Sequence, residues 1–240
     1  MDDYNAMSRR AAELVAGELH ANPEAVIAVP TGATPQGFYA QLVALHRQGA
    51  FDASRLRVFQ LDDYVGASAD DPHSFYAWIK RDFLDPLGIA SAQVTRLRGD
   101  RADIWRACHE YDAALRAVGG LDLAVLGLGG NGHIGFNEPP ADPTSATHST
   151  ALSAETIAAH TRYWGEGIPV PSRAVTCGMA NLLAARRQVV LVAGAEKQAI
   201  LRRMVDGPVS AQVPASWLWR SAGCVIVADA AAWGRAPGVI

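Results

Sequence analysis

The chain has no apolar run approaching the roughly 20 residues needed to cross a bilayer. Its Met1-Asp-Asp-Tyr4 start has neither the basic stretch nor the apolar core of a secretion signal. It is also poor in cysteine. Cys108, Cys177 and Cys224 are odd in number and widely spaced, with no Cys-x-x-Cys and no histidine at ligand distance. That pattern excludes a disulfide framework and reads as small core side chains in a reducing, cytoplasmic compartment. No dense Lys/Arg patch exists: the net charge is −3, and Arg55-Leu-Arg57 and Arg202-Arg203 are short solvated faces, so neither nucleic acid nor a membrane surface is an expected partner. Repeats, low-complexity tracts and charge blocks are missing too. Pro139–Pro143 and Gly165–Pro171 therefore read as surface excursions rather than linkers.

What is present is a chain of 240 residues, half of them hydrophobic and 19% charged, enough to bury the core of one large α/β domain spanning residues 1–240. Apolar positions Ala11, Leu14, Val15 and Leu19 predict a helix over residues 6–21. Ala25–Val29 then predicts a strand, Pro30-Thr-Gly-Ala-Thr-Pro35 a loop, and Phe38, Leu42 and Leu45 a second helix. The same alternation continues with strands at 56–61, 121–128, 188–192 and 224–228, and helices at 74–84, at 101–118 and from about 196. Strands and helices in this rhythm predict a parallel or mostly parallel sheet covered on both faces, with the pocket at the carboxyl ends of the strands.

Four groups of residues fall at those ends. After the apolar strand at 121–128 comes a glycine-rich loop, Gly127-Leu-Gly-Gly-Asn-Gly-His-Ile-Gly-Phe-Asn-Glu-Pro139, which carries Asn131, His133, Asn137 and Glu138. Glycines let such a backbone approach a ligand closely. The loop at 30–35 lies between a strand and a helix, where N–H groups and the positive helix end favour a phosphate and Thr31 and Thr34 add hydroxyls. An ordinary turn with a threonine cap is the other reading. The loop is neither a Walker loop nor Gly-x-Gly-x-x-Gly, which disfavours a nucleotide. Asp62 and Asp63 are adjacent carboxylates at a strand end. Alternation sends them to opposite sides, so either one faces the pocket as a base while the other pairs or caps nearby, or the pair is a plain helix or turn cap. Lys197, at a helix start after Gly194, and Arg162, in the loop-like Thr161-Arg-Tyr-Trp164, either clamp a phosphate or are plain surface cations. His73, His148 and His160 show no partner and no zinc-like spacing, and receive no role.

Taken in order, the loop at 30–35, Leu61-Asp-Asp-Tyr-Val-Gly66, the run 127–139, Arg162, Gly194–Lys197 and Pro214-Ala-Ser216 resemble the glucosamine-6-phosphate deaminase/isomerase family. That family sits in a wider group with galactosamine-6-phosphate isomerases and 6-phosphogluconolactonase. The resemblance implies a single-domain, three-layer α/β/α, Rossmann-like fold without metal or organic cofactor. It also implies conversion of glucosamine 6-phosphate and water to fructose 6-phosphate and ammonia by a monomer or small homo-oligomer. Asp62 resembles the base that moves a proton between C2 and C1, His133 the group that assists ring opening, and Glu138 the acid that supports His133. Asn131 joins that catalytic group, Thr31, Gly32, Ala33, Thr34, Arg162 and Lys197 resemble the phosphate site, and Gly132 and Asp63 lie beside the substrate. Two positions depart from the common pattern, Asn131 where many members have Asp, and Asp63 where Glu is more usual. An amide stabilises an imidazolium less than a carboxylate does, which leaves that load to Glu138. The chain ends soon after the strand at 224–228, without the extension of larger allosteric relatives. The competing readings are a galactosamine-6-phosphate deaminase, a 6-phosphogluconolactonase and a non-catalytic sugar-phosphate sensor.

Overall fold

Short apolar runs with no polar alternation make strands that are buried on both faces. The computed structural model, which describes residues 1–165 and 167–234, has nine strands among those residues: β1 Val26–Val29, β2 Arg57–Gln60, β3 Asp62–Tyr64, β4 Val94–Thr95, β5 Leu123–Gly127, β6 His148–Ala151, β7 Arg173–Thr176, β8 Arg187–Val192 and β9 Cys224–Ala228. The α-helices are α1 Tyr4–Ala21, α2 Thr34–Arg47, α3 Phe75–Ile79, α4 Ile104–Ala117, α5 Ala154–Trp164, α6 Met179–Ala184, α7 Gln198–Asp206 and α8 Ala230–Trp233. A wider π turn, Lys80–Leu84, prolongs α3.

Six strands form one parallel sheet in the order β4-β2-β1-β5-β8-β9. The two-residue period of each strand divides its side chains between two cores. Ile27, Val29, Val58, Val125 and Leu191 pack with α1 and α2. Their neighbours Val26, Ala28, Phe59, Leu126 and Val190 pack with α4, α6 and α7. The result is a three-layer α/β/α fold. Strand order reverses between β1 and β5, and the crevice outside their carboxyl ends is where such sheets bind ligands.

A second sheet, β3-β7-β6, is antiparallel. The run Asp62-Asp-Tyr64 is therefore not the tail of a parallel strand, as its sequence suggests. After Leu61 the chain leaves β2 and pairs Asp62 with Thr176 and Tyr64 with Ala174. This sheet covers a small third core of Tyr64, Phe75, Phe136, Leu152, Trp164 and Ala174. Polar strands such as His148-Ser-Thr-Ala151 carry no hydrophobic period, which is why the sheet is not visible in the sequence. Pro140 and Asp142 are exposed as expected of a surface excursion; of Gly165–Pro171, Glu166 lies outside the described residues. No helix among the described residues is long and apolar enough to cross a membrane.

Gln60 holds the two sheets together where the chain passes between them. It is 1% exposed; its amide nitrogen donates to the Asp62 carbonyl at 3.0 Å and to Asp63 Oδ2 at 2.7 Å, and its oxygen accepts from Leu97 N at 3.2 Å. Gln60→Leu strands all three partners, and we expect it to cost about 2–3 kcal/mol in urea unfolding. An unchanged midpoint would show that the junction does not depend on this amide.

Candidate active site

The carboxyl ends of β1, β5 and β8, together with β3 and α5, enclose a cleft of about 780 Å³. At its β1 end, Gly32 takes φ +111°, a left-handed conformation that suits glycine, and turns the chain into α2. The residue at the N-cap is Ala33, with no side-chain cap, so the threonine-cap reading does not hold. Thr31 and Thr34 line the cleft, and their hydroxyls have no hydrogen-bond partner among the described residues. Tyr4 closes the outer side by accepting from Gly37 N at 2.7 Å.

The loop after β5 is shaped by the close approach of His133 to Gly129. A Cβ at Gly129 would lie 2.3 Å from His133 Nε2 and Cδ2, so the imidazole rests on bare backbone. His133 O accepts from Gly129 N at 3.0 Å and fixes the turn. Behind the ring, Glu138 Oε1 stands 3.6 Å from His133 Nδ1, an ion-pair distance longer than a hydrogen bond. Thr156 donates to Glu138 Oε1 at 2.5 Å and Asn131 Nδ2 to Oε2 at 2.6 Å. Burial alone would raise the Glu138 pKa; the His133 ring and these two donors outweigh it and bring the value down to about 2. Glu138 is thus an anion fixed beside the imidazole. Asn131 makes no hydrogen bond to the ring among the described residues: its oxygen accepts from His133 N at 3.1 Å while its amide braces Glu138.

Gly132 is a correction. It does not line the cleft but, at φ +96°, turns away against Val213 and Ile200, where a Cβ would sit 3.0 and 3.1 Å from their side chains. Its role is to let the loop pack on α7.

The two aspartates divide as alternation predicts. Asp63 is fully buried, and its carboxylate accepts from Tyr64 N, Phe75 N, Tyr76 N and Gln60 Nε2 at 2.9, 2.9, 3.3 and 2.7 Å. Every acceptor site is used in capping α3 and anchoring β3, so the expectation that Asp63 touches substrate is overturned. Burial pushes its pKa up to about 6 against those four donors. Asp62 is the opposite case: 6% exposed, open to the cleft, and without any donor to its carboxylate among the described residues. Burial, and then the neighbouring Asp63, raise its pKa well above the usual carboxylate range.

Arg162 lies in the last turn of α5, not in a loop. The pattern Thr161-Arg-Tyr-Trp164 hides its helical state because only one face of α5 is apolar. Its guanidinium donates to Tyr163 Oη at 2.6 Å and stacks 4.7 Å from that ring. Ala33 N donates to the same phenol oxygen at 3.3 Å, so two donors of the cleft already converge on one oxygen. Lys197, in the turn after β8, faces the cleft as expected; burial lowers its pKa, Glu196 offsets this, and the Arg162 charge lowers it further. Two cations that repel each other across a cleft suit an anion between them.

Sequence reading misses Thr156, Tyr163 and His160, which α5 brings to the cleft. Only the helical spacing of 156, 160 and 163 hints at a common face. His73, stacked 4.7 Å from Trp164, and His148, bonded to the Ala146 carbonyl, lie outside the cleft. Among the described residues no group of His, Cys, Asp and Glu is arranged to hold a metal ion.

A family model described as glucosamine-6-phosphate isomerases/6-phosphogluconolactonase matches residues 2–227. The glucosamine-6-phosphate deaminase of Halothermothrix orenii is 36% identical over 95% of both chains. That of Cutibacterium acnes is 40% identical over 96% of this chain and 88% of its own. The solved structure of a monomeric glucosamine-6-phosphate deaminase superposes with a TM-score of 0.93 at 30% identity, covering 98% of this chain and 97% of that one. The 6-phosphogluconolactonase of Trypanosoma brucei, at 20% identity and a TM-score of 0.79, shares the fold.

The two aspartates are expected to respond oppositely to substitution by asparagine. A carboxylate whose folded pKa is raised stabilises the fold below its unfolded pKa and loses that contribution as pH rises through the folded value. Asp62→Asn is therefore expected to unfold at a higher temperature than the unsubstituted protein at pH 8, with the gap closing as pH falls toward 4. Asp63→Asn turns an amide N–H toward existing donors and is expected to cost about 3 kcal/mol. Thermal unfolding from pH 4.5 to 8 measures both; equal behaviour of the two variants would contradict the division.

Proposed function

The chain belongs to the glucosamine-6-phosphate isomerase/6-phosphogluconolactonase family, and from that membership we propose that it converts glucosamine 6-phosphate and water to fructose 6-phosphate and ammonia. The observation that carries this reading is Asp62, a buried carboxylate that no donor among the described residues satisfies, opening into the same cleft as His133. A lactone hydrolase has no carbon-bound proton to move, whereas an amino-sugar isomerase needs such a base.

The phosphate lies between Arg162, Lys197 and the N–H groups of Thr31–Thr34 at the start of α2. That anchor orients the sugar along the cleft and turns a bimolecular encounter into a positioned one. His133, beside the Glu138 anion, passes the C1 hydroxyl proton to the ring oxygen and opens the pyranose. Asp62 then takes the C2 proton while a proton of the substrate ammonium passes to O1, leaving an enolamine, and Asp62 returns its proton to C1. The product is the imine at C2; water adds there and ammonia leaves. Asn131 serves this sequence indirectly, by fixing Glu138 and the His133 backbone. All steps are proton transfers and hydrolysis, for which these side chains suffice without a cofactor. The three free cysteines fit a reducing, cytoplasmic setting.

Ammonia release from glucosamine 6-phosphate and galactosamine 6-phosphate, with hydrolysis of 6-phosphogluconolactone measured alongside, tests the reading. We expect a higher kcat/KM on glucosamine 6-phosphate, and a loss of about 10²- to 10⁴-fold in Asp62→Asn with binding retained. A preference for the galactosamine epimer would overturn the substrate. Lactone hydrolysis without ammonia release, or an Asp62→Asn variant of full activity, would overturn the mechanism.

A further inference from the structure

His160 plays no part in the chemistry above, yet its surroundings define it closely. It projects from α5 into the cleft, with its ring 5.5 Å from Phe136 and 6.1 Å from Phe75. Its Nδ1 lies 2.6 Å from Tyr64 Oη. The Trp164 ring meets Tyr64 edge-on at 5.1 Å. Tyr64 is fully buried, and its Oη has no other hydrogen-bond partner among the described residues, so the phenol proton goes to His160 Nδ1, which accepts it. If Nδ1 carried a proton instead, the Tyr64 hydroxyl would be buried with no acceptor, at a cost of about 1–3 kcal/mol.

The imidazole is therefore the tautomer protonated at Nε2, and Nε2 has no partner among the described residues. Burial, followed by the charges of His133, Arg162 and Lys197 and opposed by Glu138, lowers its pKa to about 4, so it is a neutral donor at physiological pH. The neighbouring rings locate it along the cleft. Phe136 lies 5.5 Å from it and 6.3 Å from His133 at the reacting end, and Tyr163, which Arg162 and Ala33 N bond at the anion end, lies 5.6 Å from it.

We propose that His160 Nε2–H donates to a hydroxyl in the middle of the bound sugar phosphate, at C3 or C4, and that Tyr64 is the positioning residue that fixes its tautomer. The proposal rests on the sugar-phosphate reading above. The phosphate and the C1–C2 end are served by other groups, so the hydroxyls between them are what a donor at this point meets. The walls beside the ring are aromatic, and Phe75 and Phe136 supply no alternative acceptor. A sugar without a hydroxyl in that direction leaves the N–H unpaired, which is how a polar site discriminates between related substrates.

The test compares the unsubstituted protein, His160→Leu and His160→Gln on glucosamine 6-phosphate and on its 3-deoxy and 4-deoxy analogues. On the parent sugar, His160→Leu is expected to lose roughly 10- to 100-fold in kcat/KM. His160→Gln is expected to recover part of that loss, because its amide N–H reaches the Nε2 position. On one of the two deoxy analogues the difference between the unsubstituted protein and His160→Leu is expected to shrink below about 2-fold. An equal loss on all three sugars assigns the ring a structural role only and overturns the proposal, as does full activity of His160→Leu on the parent. If the unsubstituted protein releases no ammonia from any of them, the functional reading fails separately. The dissociation constants of the same three sugars for the same proteins then decide the inference.

Discussion

Four hydrogen bonds into one buried carboxylate organise this site. Asp63 collects the N–H groups of Tyr64, Phe75 and Tyr76 and the amide of Gln60, and in doing so joins the parallel sheet, the small antiparallel sheet and the start of α3. An isolated buried charge is expensive, and an acceptor surrounded by donors is tolerable. Because Asp63 takes all of these donors, none is left for Asp62. The adjacent residue is buried by the same framework but faces the cleft unsatisfied, with its pKa raised by burial and by Asp63 itself. Structural and chemical roles are thus separated across a single peptide bond by the alternation of a strand.

The opposite wall is built from a second division of labour. Glu138 is tied to α5 through Thr156 and to its own loop through Asn131, which keeps it ionised behind His133. The amide at 131 cannot stabilise an imidazolium as a carboxylate does, but it relieves Glu138 of finding other donors and leaves the charge directed at His133. Since α5 also carries His160, Arg162 and Tyr163, the helix that braces the acid also completes the cleft. Any rearrangement of α5 therefore reaches both ends of the substrate together.

Much of this was readable in the residues. The apolar runs at 25–29, 121–128 and 188–192 have only one stable home, a sheet covered on both faces, and the glycine-rich loop after the second of them marks the cleft. The antiparallel sheet was not readable, since His148–Ala151 and Arg173–Thr176 are too short and polar to show a period, and their pairing with Asp62–Tyr64 is set by distant packing. Gly132 resembled its neighbours in sequence, yet its side of the loop faces Val213 and Ile200. Helix α5 was missed as the carrier of Arg162 because its buried face is small. With it went Tyr163 and His160, whose partners Ala33 and Tyr64 lie 130 and 96 residues away. Long-range partners of this kind leave no trace in local spacing.

The central claim is that of two adjacent buried aspartates one is consumed by the fold and the other is free for the substrate. Carbon-13 NMR of the labelled aspartate carboxyls, titrated with pH and then with a hexose 6-phosphate, tests it most directly. The account predicts that the Asp62 signal titrates well above the usual carboxylate range and moves when the sugar phosphate binds, while the Asp63 signal does not respond to ligand. A ligand-dependent Asp63 signal, or an Asp62 that titrates like an exposed carboxylate near pH 4, would contradict it.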